Sequence, residues 1–267
     1  MVMTIRAGVQ GQATRSHNAA TGDESIAALR LPRHNLRIRN RREAFVTQNH
    51  RVSESKALFV DGPVGRVEAM VRAVDDPRAV IVLAHPHPLY GGTLHNPVIF
   101  HADRELNRRG SATLRFNFRG VGKSDGVHDN GLGEVHDLGA AVRTARAMAP
   151  GKPLLVLGYS FGSRCAITYA LGDAALAGVV AIGLPVRLWT FDDLASLGRP
   201  LAVVQGTADE FGSIGDVEAA IGRLSPPGKL YPVAGATHLF PGRAPEAGRL
   251  VADAVDVMLQ EGAATPS

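Results

Sequence analysis

Short apolar runs follow one another from residue 57 onward and predict the strands of this chain. The segments ALFVD (57–61) and VGRVEAMVRA (64–73) flank Gly62 and Pro63, a pattern typical of an antiparallel hairpin. The run AVIVLA (79–84) is apolar throughout, as a strand buried on both faces should be. The first third of the chain therefore predicts a hairpin followed by a central strand.

Beyond residue 84, apolar runs alternate with segments of helical pattern almost to the end of the chain. Further strands are predicted over 112–118, 153–158, 177–183, 200–206 and 229–233, and helices over about 97–109, 133–148, 161–171, 214–224 and 243–259. Such alternation predicts an α/β protein with one mostly parallel, eight-stranded sheet and helices on both faces. Functional side chains should then lie just after strands, at the carboxyl edge of the sheet.

Charge separates a basic N-terminal segment from a nearly neutral remainder. Residues 1–51 carry nine Arg against three acidic residues, whereas the rest of the chain carries 20 basic and 22 acidic groups. We therefore predict a basic, disordered extension over 1–52, an α/β domain over 53–260 and a frayed C-terminus over 261–267. A nucleic-acid or membrane-surface arm, or a transit peptide, is the alternative for the extension, although Phe45 is its only aromatic residue for stacking on bases.

Composition narrows the classes of protein that the chain can belong to. No apolar run approaches the roughly 18 residues of a membrane span, and the N-terminus lacks the apolar core of a secretory signal. Cys165 is the single cysteine, which excludes an internal disulfide and fits a reducing compartment. We predict a cytoplasmic protein that needs no membrane or nucleic-acid partner, and its oligomeric state is left open.

Two segments match G-x-S-x-G, the pattern of a nucleophile elbow: GKSDG (122–126) and GYSFG (158–162). An elbow requires a buried strand before the serine, a sharp turn between small residues, and a helix after it. Ser160 has all three, because an apolar strand precedes it and a helical segment follows. Ser124 is followed by DGVHDNGLG, which has the composition of a loop. Ser160 is therefore predicted to be the nucleophile.

A serine hydroxyl needs a base, and in this architecture an acid and then a histidine should follow it in the chain. His238 is the only histidine after Ser160, and it comes just beyond the last predicted strand. An imidazole titrates near neutrality and can accept and return the serine proton. The acid should follow strand 200–206, where Asp209 and Glu210 are adjacent. We predict Asp209 as the acid that orients the imidazole, with Glu210 in reserve.

Acyl transfer also needs two N–H donors for the negative oxygen of the tetrahedral intermediate. The N–H of Phe161, directly after the nucleophile, is predicted to be one of them. The second should come from the loop HPHPLYGGTLHNP, whose HPHP segment contains two prolines without an N–H. The N–H of His87 is the predicted donor, with Leu89 or Tyr90 in reserve.

The same loop raises an alternative, because His85 and His87 form an H-x-H pair that could begin a metal site. Such a site needs further histidine and carboxylate ligands on later strands, and His238 is the only histidine after residue 136. We therefore predict no metal and no cofactor. His85 is instead predicted to brace the loop against the neighbouring segment RFNFRGVGKSDG.

The motifs HPHPLYGGT, RFNFRGVGKSDG, GYSFG, GTADE and GATHLF, in this order, resemble the α/β-hydrolase superfamily over roughly residues 55–260. More narrowly, they look like a group of small bacterial lidless hydrolases. This resemblance implies esterase activity, and it implies that Ser124 shapes a turn. The chain departs from the pattern at His95, where the resemblance leads us to expect an acidic residue.

The connection between strands 177–183 and 200–206 is too short for a lid domain, so the substrate pocket is predicted to be open. Trp189 in this connection is predicted to form an apolar acyl wall with Tyr90, Leu94 and Phe240, although ordinary core packing would give the same pattern. The sequence thus predicts a serine hydrolase that cleaves small or medium acyl esters. A peptidase, thioesterase or lactone hydrolase with the same triad, and a non-catalytic binding protein, are the alternatives.

Overall fold

In the computed structural model, which describes residues 51–264, the predicted hairpin is formed by β1 (Lys56–Gly62) and β2 (Gly65–Arg72). The predicted N-terminal extension lies outside the described residues, apart from its last two positions. The hairpin is joined to the rest of the sheet through an antiparallel pairing of β2 with β4 (Ala112–Phe116). It therefore forms one edge of the eight-stranded sheet.

The other strands are parallel, and every connection between them but one contains an α-helix, in agreement with the alternating pattern. The strands are β3 (Val80–Ala84), β5 (Leu154–Tyr159), β6 (Gly178–Ile182), β7 (Leu201–Gly206) and β8 (Lys229–Val233); the helices are α1 (Pro97–Arg108), α2 (Leu132–Met148), α3 (Phe161–Leu171), α4 (Ile214–Ile221) and α5 (Ala244–Ala264). The strand order is β1-β2-β4-β3-β5-β6-β7-β8. The predicted fold class is confirmed.

The core has two layers because helices cover both faces of the sheet. Alternate residues of β3 point to opposite layers: Val80 and Val82 face α2 and α3, whereas Ile81 and Leu83 face α1 and α5. All five residues of β3 are buried, which is why its sequence is apolar throughout rather than alternating. This packing fixes the central strands, whose carboxyl ends lie at one edge of the sheet and carry the loops of the site.

The GKSDG segment forms a turn beside the hairpin. The buried hydroxyl of Ser124 donates a hydrogen bond to the carbonyl of Asn117 (2.8 Å) and accepts one from the N–H of Glu68 (2.9 Å). The first hydrogen bond closes the loop after β4 on itself, and the second joins this loop to β2. The Ser124 hydroxyl thus stabilises a turn, and in this it differs from the serine of the other G-x-S-x-G segment.

Three element ends differ from the sequence prediction by two residues or more. Strand β4 ends at Phe116, two residues early, and the side chain of the next residue, Asn117, accepts the N–H of Leu94 (2.7 Å). Helix α4 ends at Ile221 rather than near residue 224. The C-terminus was predicted to fray from residue 261, but α5 continues to Ala264, and Glu261 forms an ion pair with Lys229 of β8. Residues 265–267 lie outside the described part of the chain.

The connection between β6 and β7 contains one short 3-10 helix, Asp192–Ser196, and no separate lid domain occurs within residues 51–264. The carboxyl edge of the sheet is therefore not covered by an inserted domain. None of the described helices combines the length and the apolar composition that crossing a membrane requires.

Candidate active site

The segment GYSFG forms a sharp turn between β5 and α3, with Ser160 at its centre. Ser160 has φ 54° and ψ −113°. This conformation is strained for any residue that carries a side chain. Its N–H donates to the carbonyl of Ile182 in β6 (2.9 Å), and its carbonyl accepts the N–H of Ser163 (2.9 Å). These hydrogen bonds hold the strained turn at the start of the helix.

The two glycines of the turn leave no room for a side chain. A methyl group on Gly158 would overlap the carbonyl of Gly162, and one on Gly162 would overlap the carbonyl of Ala84 at the end of β3. The elbow helix is thus packed directly on the backbone of the neighbouring strand. This close approach brings the loop after β3 next to the nucleophile.

We expect Gly158→Ala to lower the free energy of unfolding by about 2 kcal/mol, because the added methyl group must displace backbone atoms. The matched control is Gly172→Ala at the end of α3, where the nearest atom would lie 3.7 Å from the new carbon. Urea denaturation of both variants measures the difference. Equal stabilities would contradict the steric argument.

The structure brings Ser160, His238 and Asp209 together in one hydrogen-bonded chain. The Nε2 atom of His238 lies 2.8 Å from the Ser160 hydroxyl oxygen, and its Nδ1 atom lies 2.9 Å from Oδ2 of Asp209. All three side chains are buried. Because a carboxylate can only accept, Nδ1 carries the proton, and Nε2 is left free to accept the proton of the serine.

Asp209 is itself held by donors on both carboxylate oxygens. Oδ1 accepts the N–H of Phe211 (2.9 Å), and Oδ2 accepts Nε2 of Gln205 (2.9 Å). The fully buried Gln205 amide also binds the carbonyl of Gly212 (2.8 Å) and the N–H of Leu184 (2.7 Å). Sequence reasoning missed Gln205, although a polar residue at the end of the apolar run LAVVQG was an available signal.

His238 is anchored through its backbone as well as through its ring. Its carbonyl accepts the hydroxyl of Tyr159 (2.7 Å), and its N–H donates to Oε2 of Glu210 (3.2 Å). Hydrogen bonds from the N–H of Glu210 itself and from the N–H of His238 hold the pKa of the Glu210 carboxyl below its usual value. The two adjacent acids therefore differ in position: Asp209 faces the imidazole ring, and Glu210 faces the backbone.

The loop after β3 places His87 beside the start of α3, where the rings of His87 and Phe161 are 4.9 Å apart. The N–H of Leu89 donates to Nδ1 of His87 (3.2 Å), and that of Tyr90 donates to the His87 carbonyl (3.1 Å). Within residues 51–264, no hydrogen bond occupies the N–H of His87 or Phe161. The two reserve donors are thus used inside the loop, and the two predicted donors are left available.

His85 joins the loop after β3 to the loop after β4, as predicted. Its Nε2 accepts the N–H of Phe118 (3.1 Å), so that Nδ1 carries the proton and donates to the carbonyl of Pro86 (2.6 Å). Burial lowers the pKa of His85 to about 4. Both ring nitrogens are therefore engaged in the protein, and the residue is neutral at physiological pH.

His85 should make the protein less stable in mild acid. The unfolded imidazole, with a pKa near 6.5, takes up a proton at pH 5, whereas the folded one does not. We expect the free energy of unfolding to fall by about 2 kcal/mol more between pH 7 and pH 5 in the wild type than in His85→Gln. Urea denaturation measures this difference. Should the variant not fold, an NMR titration that finds His85 protonated already at pH 6 would contradict the prediction.

The four residues predicted to form an apolar wall do not lie together. Tyr90 is 86% exposed, and the half-buried Trp189 has its ring 6.1 Å from that of Phe161. Leu94 is completely buried, and Phe240 is 1% exposed and packs against Tyr159 in the layer beside α1 and α5. The prediction is therefore wrong for Leu94 and Phe240, because their side chains point into the protein and not towards the open edge.

Comparisons with known proteins agree with this fold. A family model for an alpha/beta hydrolase domain matches residues 77–261. An uncharacterized protein of Rickettsia prowazekii is 38% identical over 173 residues, which are 63% of this chain and 73% of that protein. A serine hydrolase without a lid from Xanthomonas campestris is 31% identical to this protein. The aligned region spans 80% of this chain and 97% of the Xanthomonas chain, with a TM-score of 0.71. A serine hydrolase homologue from Coxiella burnetii is 33% identical; the aligned region spans 76% of this chain and 98% of the Coxiella chain, with a TM-score of 0.70. Since the family model spans well over half of the chain, this protein belongs to the α/β-hydrolase family.

Proposed function

We propose that this protein is a serine hydrolase that cleaves carboxylic esters of small or medium acyl groups through an acyl-enzyme on Ser160. The observation that carries the proposal is the chain of hydrogen bonds from the Ser160 hydroxyl through His238 to Asp209. A strained serine at a helix start, a neutral imidazole and a buried carboxylate are what activates a hydroxyl for attack on a carbonyl.

In the first half of the reaction, the Ser160 oxygen bonds to the carbonyl carbon of the ester while its proton passes to Nε2 of His238. The oxygen of the tetrahedral intermediate accepts hydrogen bonds from the N–H groups of Phe161 and His87. Asp209 stabilises the positive imidazolium and keeps it oriented. When the intermediate collapses, His238 gives this proton to the departing alcohol, and the acyl group remains on Ser160.

In the second half, water attacks the acyl-enzyme, and His238 accepts one proton from it. Collapse of the second intermediate releases the carboxylic acid, and His238 returns the proton to Ser160. Every proton is thus transferred through one imidazole. The reaction requires neither a metal nor a cofactor.

The open edge of the sheet, the exposed Tyr90 and the half-buried Trp189 support an ester with a small or medium acyl group. Trp189 and Tyr90 offer apolar surface beside the oxyanion donors, and the short β6–β7 connection provides no enclosed tunnel for a long chain. The relative from Xanthomonas campestris is described as a serine hydrolase without a lid, which agrees with this reading. The cytoplasmic location and the lack of a nucleic-acid partner stay predictions from the sequence.

The substrate class is tested by measuring kcat/KM for para-nitrophenyl esters from acetate to laurate, with matched thioesters, lactones and anilides. We expect the highest kcat/KM for esters between acetate and octanoate, and loss of turnover in Ser160→Ala. A preference for thioesters, lactones or anilides would assign the same triad to one of those reactions. Saturable binding without turnover of any compound would instead indicate a binding protein.

A further inference from the structure

Arg164 lies on α3 one helical turn after Ser160. Its guanidinium carbon is 5.3 Å from the centre of the Trp189 ring, and Nη1 donates a long hydrogen bond to the carbonyl of Asn130 (3.4 Å). The residue is half-buried. It thus presents a positive charge between two loops of the carboxyl edge.

Arg164 differs from the other buried and half-buried arginines in residues 51–264. Seven of them form ion pairs with carboxylates, and these are Arg72, Arg78, Arg108, Arg109, Arg115, Arg119 and Arg146. Arg199 donates to the backbone carbonyls of Leu197 and Asp173. Within the same residues, no carboxylate lies within ion-pair distance of Arg164. Most of its N–H donors therefore lack a protein acceptor.

The position of this charge is also unfavourable for the helix. Arg164 is in the first turn of α3, which contains no acidic residue, and the helix dipole disfavours a cation at that end. A cation there costs stability unless it gains an anionic partner. An anion supplied by a ligand would remove this cost.

Two aromatic side chains, the buried Phe161 and the half-buried Trp189, lie between the proposed oxyanion donor and this guanidinium. The Phe161 and Trp189 rings are 6.1 Å apart, and Trp189 in turn contacts Arg164. Gly131 leaves space on this path: a methyl group there would lie 3.4 Å from Nη1 of Arg164 and 3.6 Å from the Phe161 ring. Because Trp189 is only half-buried, an ester bound at Ser160 can extend along its accessible part towards Arg164.

We infer that the substrate is an ester with a carboxylate at its far end, and that Arg164 binds this carboxylate. The inference rests on the proposed esterase function and specifies its substrate class. A single guanidinium neutralises one negative charge, and its planar fork of donors matches the two oxygens of a carboxylate. Arg164 is then a specificity residue, which contacts the substrate away from the reacting carbonyl.

The test compares two pairs of esters that differ in charge. In the first pair, methyl hexanoate is neutral and monomethyl adipate carries a carboxylate at the end of its acyl half. In the second pair, the methyl ester of para-acetoxybenzoate is neutral and para-acetoxybenzoate carries a carboxylate on its alcohol half. The measured quantity is the ratio of kcat/KM for the anionic ester to kcat/KM for its neutral match. Arg164→Gln removes the charge, and Arg164→Lys retains it. Arg187→Gln is the matched control, because Arg187 is also on a carboxyl-edge loop but is paired with Asp216.

We expect Arg164→Gln to lower the ratio roughly tenfold in at least one pair, the lower end of the range for a charge-assisted hydrogen bond, because the site is open to water. Arg164→Lys should restore most of the preference, and Arg187→Gln should leave it unchanged. An unchanged ratio in both pairs, or an equal loss for neutral and anionic esters, would overturn the inference. If phenyl phosphate inhibited hydrolysis of the anionic esters at lower concentration than benzoate does, the assignment to a carboxylate would be contradicted.

A binding measurement separates this inference from the proposed function. Monomethyl adipate and para-acetoxybenzoate are titrated calorimetrically into Ser160→Ala protein, which cannot form an acyl-enzyme. We expect at least one of these two esters to bind, and we expect this binding to be lost in the double variant Ser160→Ala, Arg164→Gln. If the wild type cleaves no ester at all, the esterase proposal fails, and the titration still decides whether Arg164 binds a carboxylate.

Discussion

Replacing His238 with alanine is expected to lower kcat for ester hydrolysis by about a million-fold, the loss found when a triad base is removed. The Ser160 hydroxyl would have no acceptor for its proton, since Nε2 of His238 is the group 2.8 Å from its oxygen. The leaving alcohol would also lose its proton donor. Active-site titration and steady-state kinetics on a reactive aryl ester measure the loss.

Two variants serve as controls for this result. His136→Ala removes an exposed histidine of α2 and should leave kcat unchanged. Ser124→Ala should also retain kcat, although it should lower the free energy of unfolding by about 1–3 kcal/mol, because Asn117 and Glu68 each lose a hydrogen-bond partner. A His238→Ala protein that keeps a tenth of wild-type activity would rule out His238 as the general base.

Asp209→Asn is expected to lower kcat by about ten-thousandfold while the fold is retained. An asparagine amide can donate to Nδ1 of His238, which favours the tautomer that carries its proton on Nε2. That tautomer cannot accept the proton of Ser160. The contact between Nδ1 and Oδ2 of Asp209, at 2.9 Å, is the one that the substitution reverses.

Glu210→Gln is the matched control, because it neutralises the adjacent acid. The glutamine oxygen can still accept the N–H of His238, so we expect kcat to fall less than about tenfold. The pair of variants thus decides which of two neighbouring carboxylates orients the imidazole. A larger loss in Glu210→Gln than in Asp209→Asn would assign this role to Glu210.

The sequence predicted those features that depend on local pattern and chain order. Apolar runs identified all eight strands, and the pattern was clearest for β3 to β7, whose residues are all buried. Ser160 was distinguished from Ser124 by the strand before it and the helix after it, which are visible in the sequence. The placement of His238 and Asp209 beside Ser160 was predictable because parallel strands bring successive loops to one edge.

Features that depend on the direction of a side chain were not predictable in this way. Leu94 and Phe240 are apolar and close in sequence to site residues, yet both point into the core. Gln205 and Tyr159 contact Asp209 and His238 through the register of neighbouring strands and loops, which no periodicity encodes. The isolation of Arg164 from carboxylates likewise follows only from the three-dimensional arrangement.

The central claim is that Ser160 is an activated nucleophile, and labelling with a fluorophosphonate probe tests it most directly. The probe forms a covalent bond to an activated serine oxygen with loss of fluoride, and mass spectrometry of the digested protein locates the adduct. We expect a single adduct on Ser160, absent in Ser160→Ala and strongly reduced in His238→Ala. An adduct on Ser124, or no adduct on folded wild-type protein, would contradict the claim.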